Sequence, residues 1–160
     1  MANQQTLDYL KVVGPLLANA KDLARQYKSA TGRPLGITGE VAEYEAVRLL
    51  GLEPAPVRQP GYDAVRHEPD GRAVKLQVKG RCIRDKSKKS QRLGSIKLAH
   101  DWDAVLMVLM DERFETVAIY EADRAAVERA LAETESRARK REALAVTKFK
   151  AIGQRVWPNP

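Results

Sequence analysis

Asp63 lies in Gly61-Tyr62-Asp63-Ala64-Val65, and Gln77-Val78-Lys79 follows in an otherwise apolar segment. Side chains two apart on a strand share a face, so Gln77 and Lys79 project together, with Lys75 on the same side. Val74, Leu76 and Val78 then turn to the core. A hairpin between the two segments would bring Asp63 alongside Gln77. Magnesium takes oxygen ligands in a near-octahedral array and keeps several waters. Asp63 offers a carboxylate, Gln77 an amide oxygen and Val78 a backbone carbonyl. Lys79, while protonated, cannot ligate. It can steady an attacking water or the negative charge that develops on a phosphate. These residue types point to phosphodiester hydrolysis assisted by Mg²⁺ or Mn²⁺. Gln77, standing where an acid would bind better, implies a weaker metal site. The plain alternative is an edge strand with a solvated polar face.

Glu40 belongs to a helical segment just upstream. Positions 40, 44, 47 and 51 share a helix side. Tyr44 and Val47 call for burial there, which turns Glu40 toward the sheet, where a buried carboxylate needs a metal or Lys79 as partner. Glu43 is close to the same face and is the second choice. A first-turn acid favoured by the helix dipole is the competing explanation for Glu40. Directly after Lys79, residues 81–97 carry Arg81, Arg84, Lys86, Lys88, Lys89, Arg92 and Lys97 against one acid, Asp85. Phosphate contacts from such a stretch orient a nucleic acid without reading its sequence. A solvated loop is the simpler reading of the same composition.

The elements that must position these residues follow from pattern. Leu16, Leu17, Ala20, Leu23, Ala24 and Tyr27 recur at helical spacing. Gly14-Pro15 is expected to break a short first helix from this longer one, and Gly32-Arg33-Pro34 ends the layer. A second helix runs from a Thr38 cap to about Leu50, where Gly51 stops it. Residues 53–60 read as loop. Strands are expected at Tyr62–Arg66 and Ala73–Lys79, around a Pro69-Asp70-Gly71 turn. Ala104–Met110 is a continuous apolar run and should be covered on both faces. Asp111-Glu112-Arg113 turns the chain into a strand at Thr116–Tyr120. Asp123 caps a helix expected to reach about Lys140, and the tail through Phe149, Ile152 and Trp157 folds back on the body. The pattern predicts an α/β or α+β domain with a central mixed sheet, organised as residues 1–35, 36–141 and 142–160.

The chain has 160 residues, 44% of them apolar, and a net charge of +7. That length supports one core, and the charge favours a polyanionic partner such as DNA. Its single cysteine, Cys82, excludes an internal disulfide and a cysteine-rich zinc site and suits a reducing cytoplasm. No signal pattern opens the chain and no apolar run is long enough for a bilayer, so a cytoplasmic protein without a membrane partner is expected.

The order and spacing of these motifs resemble the PD-(D/E)XK nuclease superfamily, the restriction-endonuclease-like fold. The matching residues are Thr38-Gly39-Glu40-Val41-Ala42-Glu43, Gly61-Tyr62-Asp63 and Gln77-Val78-Lys79-Gly80-Arg81. The glutamate-bearing helix is similar to Holliday-junction-resolvase-like members, and the Gln-x-Lys ending to Mrr-type restriction endonucleases. The resemblance covers about residues 36–120 and departs from the pattern at Tyr62, which is not proline, and at Gln77, which is not an acid. It implies a metal-dependent DNA endonuclease of defence or repair. Asp63 and Gln77 would bind the metal, Lys79 would assist the attack and Glu40 would be an auxiliary ligand. The alternatives are a nuclease-fold module that binds DNA without turnover, or an assembly subunit. The N-terminal segment and the tail, outside the match, are open to roles in homodimerisation, specificity or packing. His67 and His100 lack partners at metal spacing. Asp101-Trp102-Asp103 reads as a strand entry with Trp102 packed, and Arg137, Arg139, Lys140 and Arg141 form a basic helix end suited to the helix dipole.

Overall fold

The computed structural model describes residues 2–83, 91–134 and 140–159. Four helices and a six-stranded mixed sheet are seen among them, an α+β arrangement. Helix α1 (Gln4–Thr31) and helix α2 (Thr38–Leu50) precede strands β1 (Glu53–Pro54), β2 (Ala64–His67), β3 (Ala73–Cys82), β4 (Ala104–Met110) and β5 (Thr116–Asp123). Helix α3 (Arg124–Ala132), helix α4 (Val146–Ile152) and strand β6 (Gln154–Trp157) follow. The strands lie side by side in chain order. Only β3 and β4 run parallel; every other neighbouring pair is antiparallel.

Strand β4 is buried along its whole length, as its unbroken apolar run predicts, because it separates two cores. Ala104, Leu106, Val108 and Met110 join Leu76 and Val78 of β3 and Val41, Ala42, Ala46 and Val47 of α2. Val105, Met107 and Leu109 face the other way, against Val127 and Leu131 of α3, Phe149 of α4, and Leu93, Ile96 and Trp102 of the connection after β3. This period-two division is what a sheet covered on both sides requires.

Several sequence expectations shift. Gly14-Pro15 does not break α1, which is continuous with Pro15 inside it. Gly14 instead lets α1 approach α2: a Cβ there would lie 2.5 Å from the Tyr44 hydroxyl. Packing against α2 offsets the hydrogen bond that Pro15 cannot donate. Thr38 is the first residue of α2 rather than its cap; Ile37 holds the cap position without a side-chain bond. β3 runs three residues beyond Lys79, because parallel pairing with β4 continues to Cys82↔Met110. Asp123 does cap α3, its carboxylate accepting from the Ala126 N–H at 2.7 Å, but α3 ends at Ala132. The basic helix end expected at Arg137 and Arg139 lies outside the described residues. The tail adds α4 and the edge strand β6, paired with β5. Among the described residues no helix is long and apolar enough to cross a membrane.

Candidate active site at the open edge of strand β3

The β2–β3 ladder stops at Ala64↔Leu76. There the Asp63 N–H donates to the Leu76 carbonyl at 2.8 Å, and the Asp63 carboxylate accepts from the Val78 N–H at 2.7 Å. Asp63 thus substitutes a side chain for the next rung of the ladder. The N–H and C=O of one strand residue project to the same edge, so the Val78 carbonyl also faces this open side. The N-terminal turn of α2 closes in beyond it. A Cβ on Gly80 would lie 2.5 Å from the Ala42 Cβ and 2.9 Å from the Thr38 carbonyl, so only glycine permits that approach.

A cleft of about 560 Å³ opens here, with Glu43, Asp63, Val78, Lys79, Gly80 and Arg81 in its walls, together with the Pro34–Gly36 turn, Gly39, Gln91 and Gly94. Burial is the main influence on three charged groups within it. It pushes the Glu43 carboxyl up to about 7, reinforced by the negative charges of Asp63 and Glu40 and opposed by Lys79. It raises the Asp63 carboxyl, against the Val78 hydrogen bond and Lys79. It lowers the Lys79 ammonium, against the attraction of Asp63 and Glu43, and Lys97 adds to the lowering. Two carboxylates and an amine are therefore gathered with their charges incompletely compensated, the pattern of a functional site.

Gln77 is buried, on the same face of β3 as Lys79 but outside the cleft wall. Its Nε2 donates to the Gly61 carbonyl at 2.9 Å, and its Oε1 is buried without a partner. An orphaned buried amide oxygen is a donor that a hard cation could complete. Glu43, Asp63, Gln77 Oε1 and the Val78 carbonyl form a donor set of suitable chemistry. Among the described residues no three His, Cys, Asp or Glu side chains gather to hold a metal, so the amide and carbonyl oxygens would have to supply what a third acid does elsewhere.

Glu40 requires a correction. It is exposed, outside the cleft wall, and acts on the site only through its charge on Glu43. The face of α2 turned to the sheet is set by Ala42 and Ala46, small enough for the close approach at Gly80. Glu43 flanks that face, while Glu40 is about 60° further round at 100° per residue. Tyr44, expected to orient Glu40, instead packs toward α1, its ring 6.1 Å from that of Tyr9. Lys75 also departs from the group. Its ammonium pairs with Asp101 and lies over the Tyr62 ring.

Of the basic residues, Arg81 lines the cleft and its guanidinium donates to the Arg92 carbonyl. Lys97 is exposed yet close enough to influence Lys79. The Arg92 side chain is exposed and its backbone bridges to Ala145. Arg84, Lys86, Lys88 and Lys89 lie outside the described residues. Arg124 gives no sequence signal of its role. It donates to the carbonyls of His100 at 3.0 Å and Trp102 at 3.1 Å, and to that of Leu98. It also stacks 4.5 Å from the Trp102 ring, and so anchors the segment that carries Lys97. No protein-family model matches the chain, and no curated protein matches it significantly.

Proposed function

We propose that the protein is a metal-dependent nuclease that hydrolyses DNA phosphodiester bonds, with its active site at the open edge of β3. The observation that carries this reading is the convergence of Glu43, Asp63 and Lys79 on one cleft, two residues along β3 from Gln77 and its buried, unpartnered amide oxygen. Glu43, Asp63, Gln77 and the Val78 carbonyl are the residues that would hold Mg²⁺ or Mn²⁺. When bound, the ion supplies Lewis-acid polarisation of the phosphoryl oxygen and a more acidic water. Lys79 places a positive charge where a phosphate oxygen gains negative charge. The burial that lowers its pKa also desolvates the ammonium, so that its charge acts more strongly there than in water. Arg81 and Lys97 flank the cleft and suit neighbouring phosphates. The resemblance to the PD-(D/E)XK superfamily supports the same assignment, with Glu43 in the role first given to Glu40.

The test is cleavage of plasmid and branched DNA by pure protein with Mg²⁺ or Mn²⁺. Activity should vanish with chelator, and fall at least about a hundredfold in Asp63→Ala and Lys79→Ala. Salt-sensitive DNA binding with no cleavage under any metal would replace the nuclease with a binding module. No DNA affinity at moderate salt would leave only the assembly-subunit alternative.

A further inference from the structure

Residues 55–62 form a loop that hangs from Asp63. The Ala55 N–H donates to the Asp63 carbonyl at 3.0 Å and so closes the base of the loop at the open edge of β3. The returning arm is fixed on the face of β3 that carries Lys79. There the Gln77 Nε2 donates to the Gly61 carbonyl at 2.9 Å, and a Cβ on Gly61 would lie 2.8 Å from the His100 Cβ. Pro54, Pro56 and Pro60 restrict the backbone further. The tip is a β-turn: the Gln59 N–H donates to the Pro56 carbonyl at 3.0 Å, with Val57 and Arg58 between them. Val57 is two residues from Ala55, at most about 7.6 Å between Cα atoms. It therefore lies within about 13 Å of Asp63, since cross-strand neighbours are about 5 Å apart. Along a duplex that is about four base pairs from the bond at Asp63.

The two residues at the tip do nothing for the fold. Val57 is 92% exposed, against 62% for the next large apolar side chain among the described residues. Arg58 is exposed, and its φ of 63° occupies the turn position that usually takes glycine. A strained backbone and an uncovered apolar side chain on a braced loop point to a ligand. Charge says which one. No acid lies between Glu53 and Asp63, and Glu53 is engaged by His67 at 2.8 Å, so the tip presents a positive charge. Single strands are held by stacking on aromatic side chains, and the loop's one aromatic, Tyr62, packs instead against the cluster that contains Trp102. An arginine beside an apolar side chain on a narrow, rigid tip suits a duplex groove, where such groups meet base edges.

We propose that Val57 and Arg58 read base edges in a groove of duplex DNA beside the scissile bond, and so bias where the protein cuts. The substrate rests on the nuclease reading, but the test reads binding rather than cleavage. Metal-free parent protein is used to select duplexes from a random-sequence pool, and affinities are read by fluorescence anisotropy. The parent should enrich particular bases at a few adjoining positions. Arg58→Gly should lose the enrichment at one or two of them and bind the selected duplex about tenfold more weakly. On a scrambled duplex it should stay within about threefold of the parent. It should not melt below the parent, because its φ suits glycine. Val57→Ser should lose the preference at an adjoining position. Equal weakening on every sequence would make Arg58 a phosphate contact and overturns the proposal. A parent without preference, a preference unchanged in both variants, or an equal loss on single-stranded DNA overturns it as well. A parent that shows the preference yet cleaves nothing with Mg²⁺ or Mn²⁺ removes the nuclease reading and leaves the groove contact standing.

Discussion

Lys75 and Lys79 stand four residues apart on the same face of β3, and their surroundings are opposite. At Lys75 the strand is still paired with β2, its carbonyl accepts from the Asp103 N–H on the other side, and its ammonium meets the Asp101 carboxylate in the open. That hydrogen bond is the main reason its pKa rises. The Lys75 N–H is also taken, by the Asp103 carboxylate at 2.8 Å. At Lys79 the β2 ladder has ended, and among the described residues the ammonium makes no ion pair within the usual 4 Å. Burial lowers its pKa despite two nearby carboxylates. One end of the strand has its charges neutralised one by one; the other keeps them in excess. Uncompensated charge in a cleft costs stability and persists where a ligand completes it.

The difference should be largest in catalysis. Under the proposed function, Lys79→Ala loses essentially all metal-dependent cleavage, whereas Lys75→Ala stays within about threefold of the parent, as surface charges do. Equal loss in both variants, measured on the same plasmid substrate, would erase the distinction between the two ends.

A smaller effect should be read in stability against pH. The Glu43 carboxyl titrates near 7 in the folded chain, above its ordinary value of 4.5. Between those values the folded state therefore holds more protons than the unfolded state, and stability falls as pH rises through that window. In metal-free protein, Glu43→Gln should be about 2 kcal/mol more stable than the parent at pH 8. The advantage should disappear at pH 4. Mg²⁺ should raise the melting temperature of the parent more than that of the variant, and only above about pH 7, because a carboxylate must lose its proton to ligate. Denaturant melts at the two pH values check the first point. A pH-independent difference would remove Glu43 from the site.

The smallest effect belongs to the closed end. Asp101→Asn breaks an exposed ion pair and should change stability by less than about 0.5 kcal/mol. A loss of several kcal/mol would show that Lys75 and Asp101 hold the connection after β3 in place, a role assigned here to Arg124.

Where periodicity was unbroken, the elements were legible. The Ala104–Met110 run could only be a strand covered on both faces, and Asp123 and Gly51 mark helix ends through local chemistry. The placing of Asp63 and Lys79 in one cleft was legible for the same reason, since strand alternation and a tight hairpin leave little freedom in where they point. The N-terminal break was misread because Gly14 and Pro15 are local helix breakers, while the contact of Gly14 with Tyr44 is long-range. The choice between Glu40 and Glu43 was not legible either. Both lie on a helix with more than one buried side, and neighbouring residues such as Tyr44 do not reveal which side meets the sheet.

Sequence by itself determined the two periods, the turns and caps, the apolar central strand and the positive charge, because each depends on residues close in the chain. Tertiary structure decided that β2 ends one rung early, that Gly80 admits the start of α2, and that Glu43 rather than Glu40 joins Asp63 and Lys79. Those outcomes depend on how closely a helix and a sheet approach, a distance set by small side chains such as Ala42 and Gly80 that carry no chemical signal of their own.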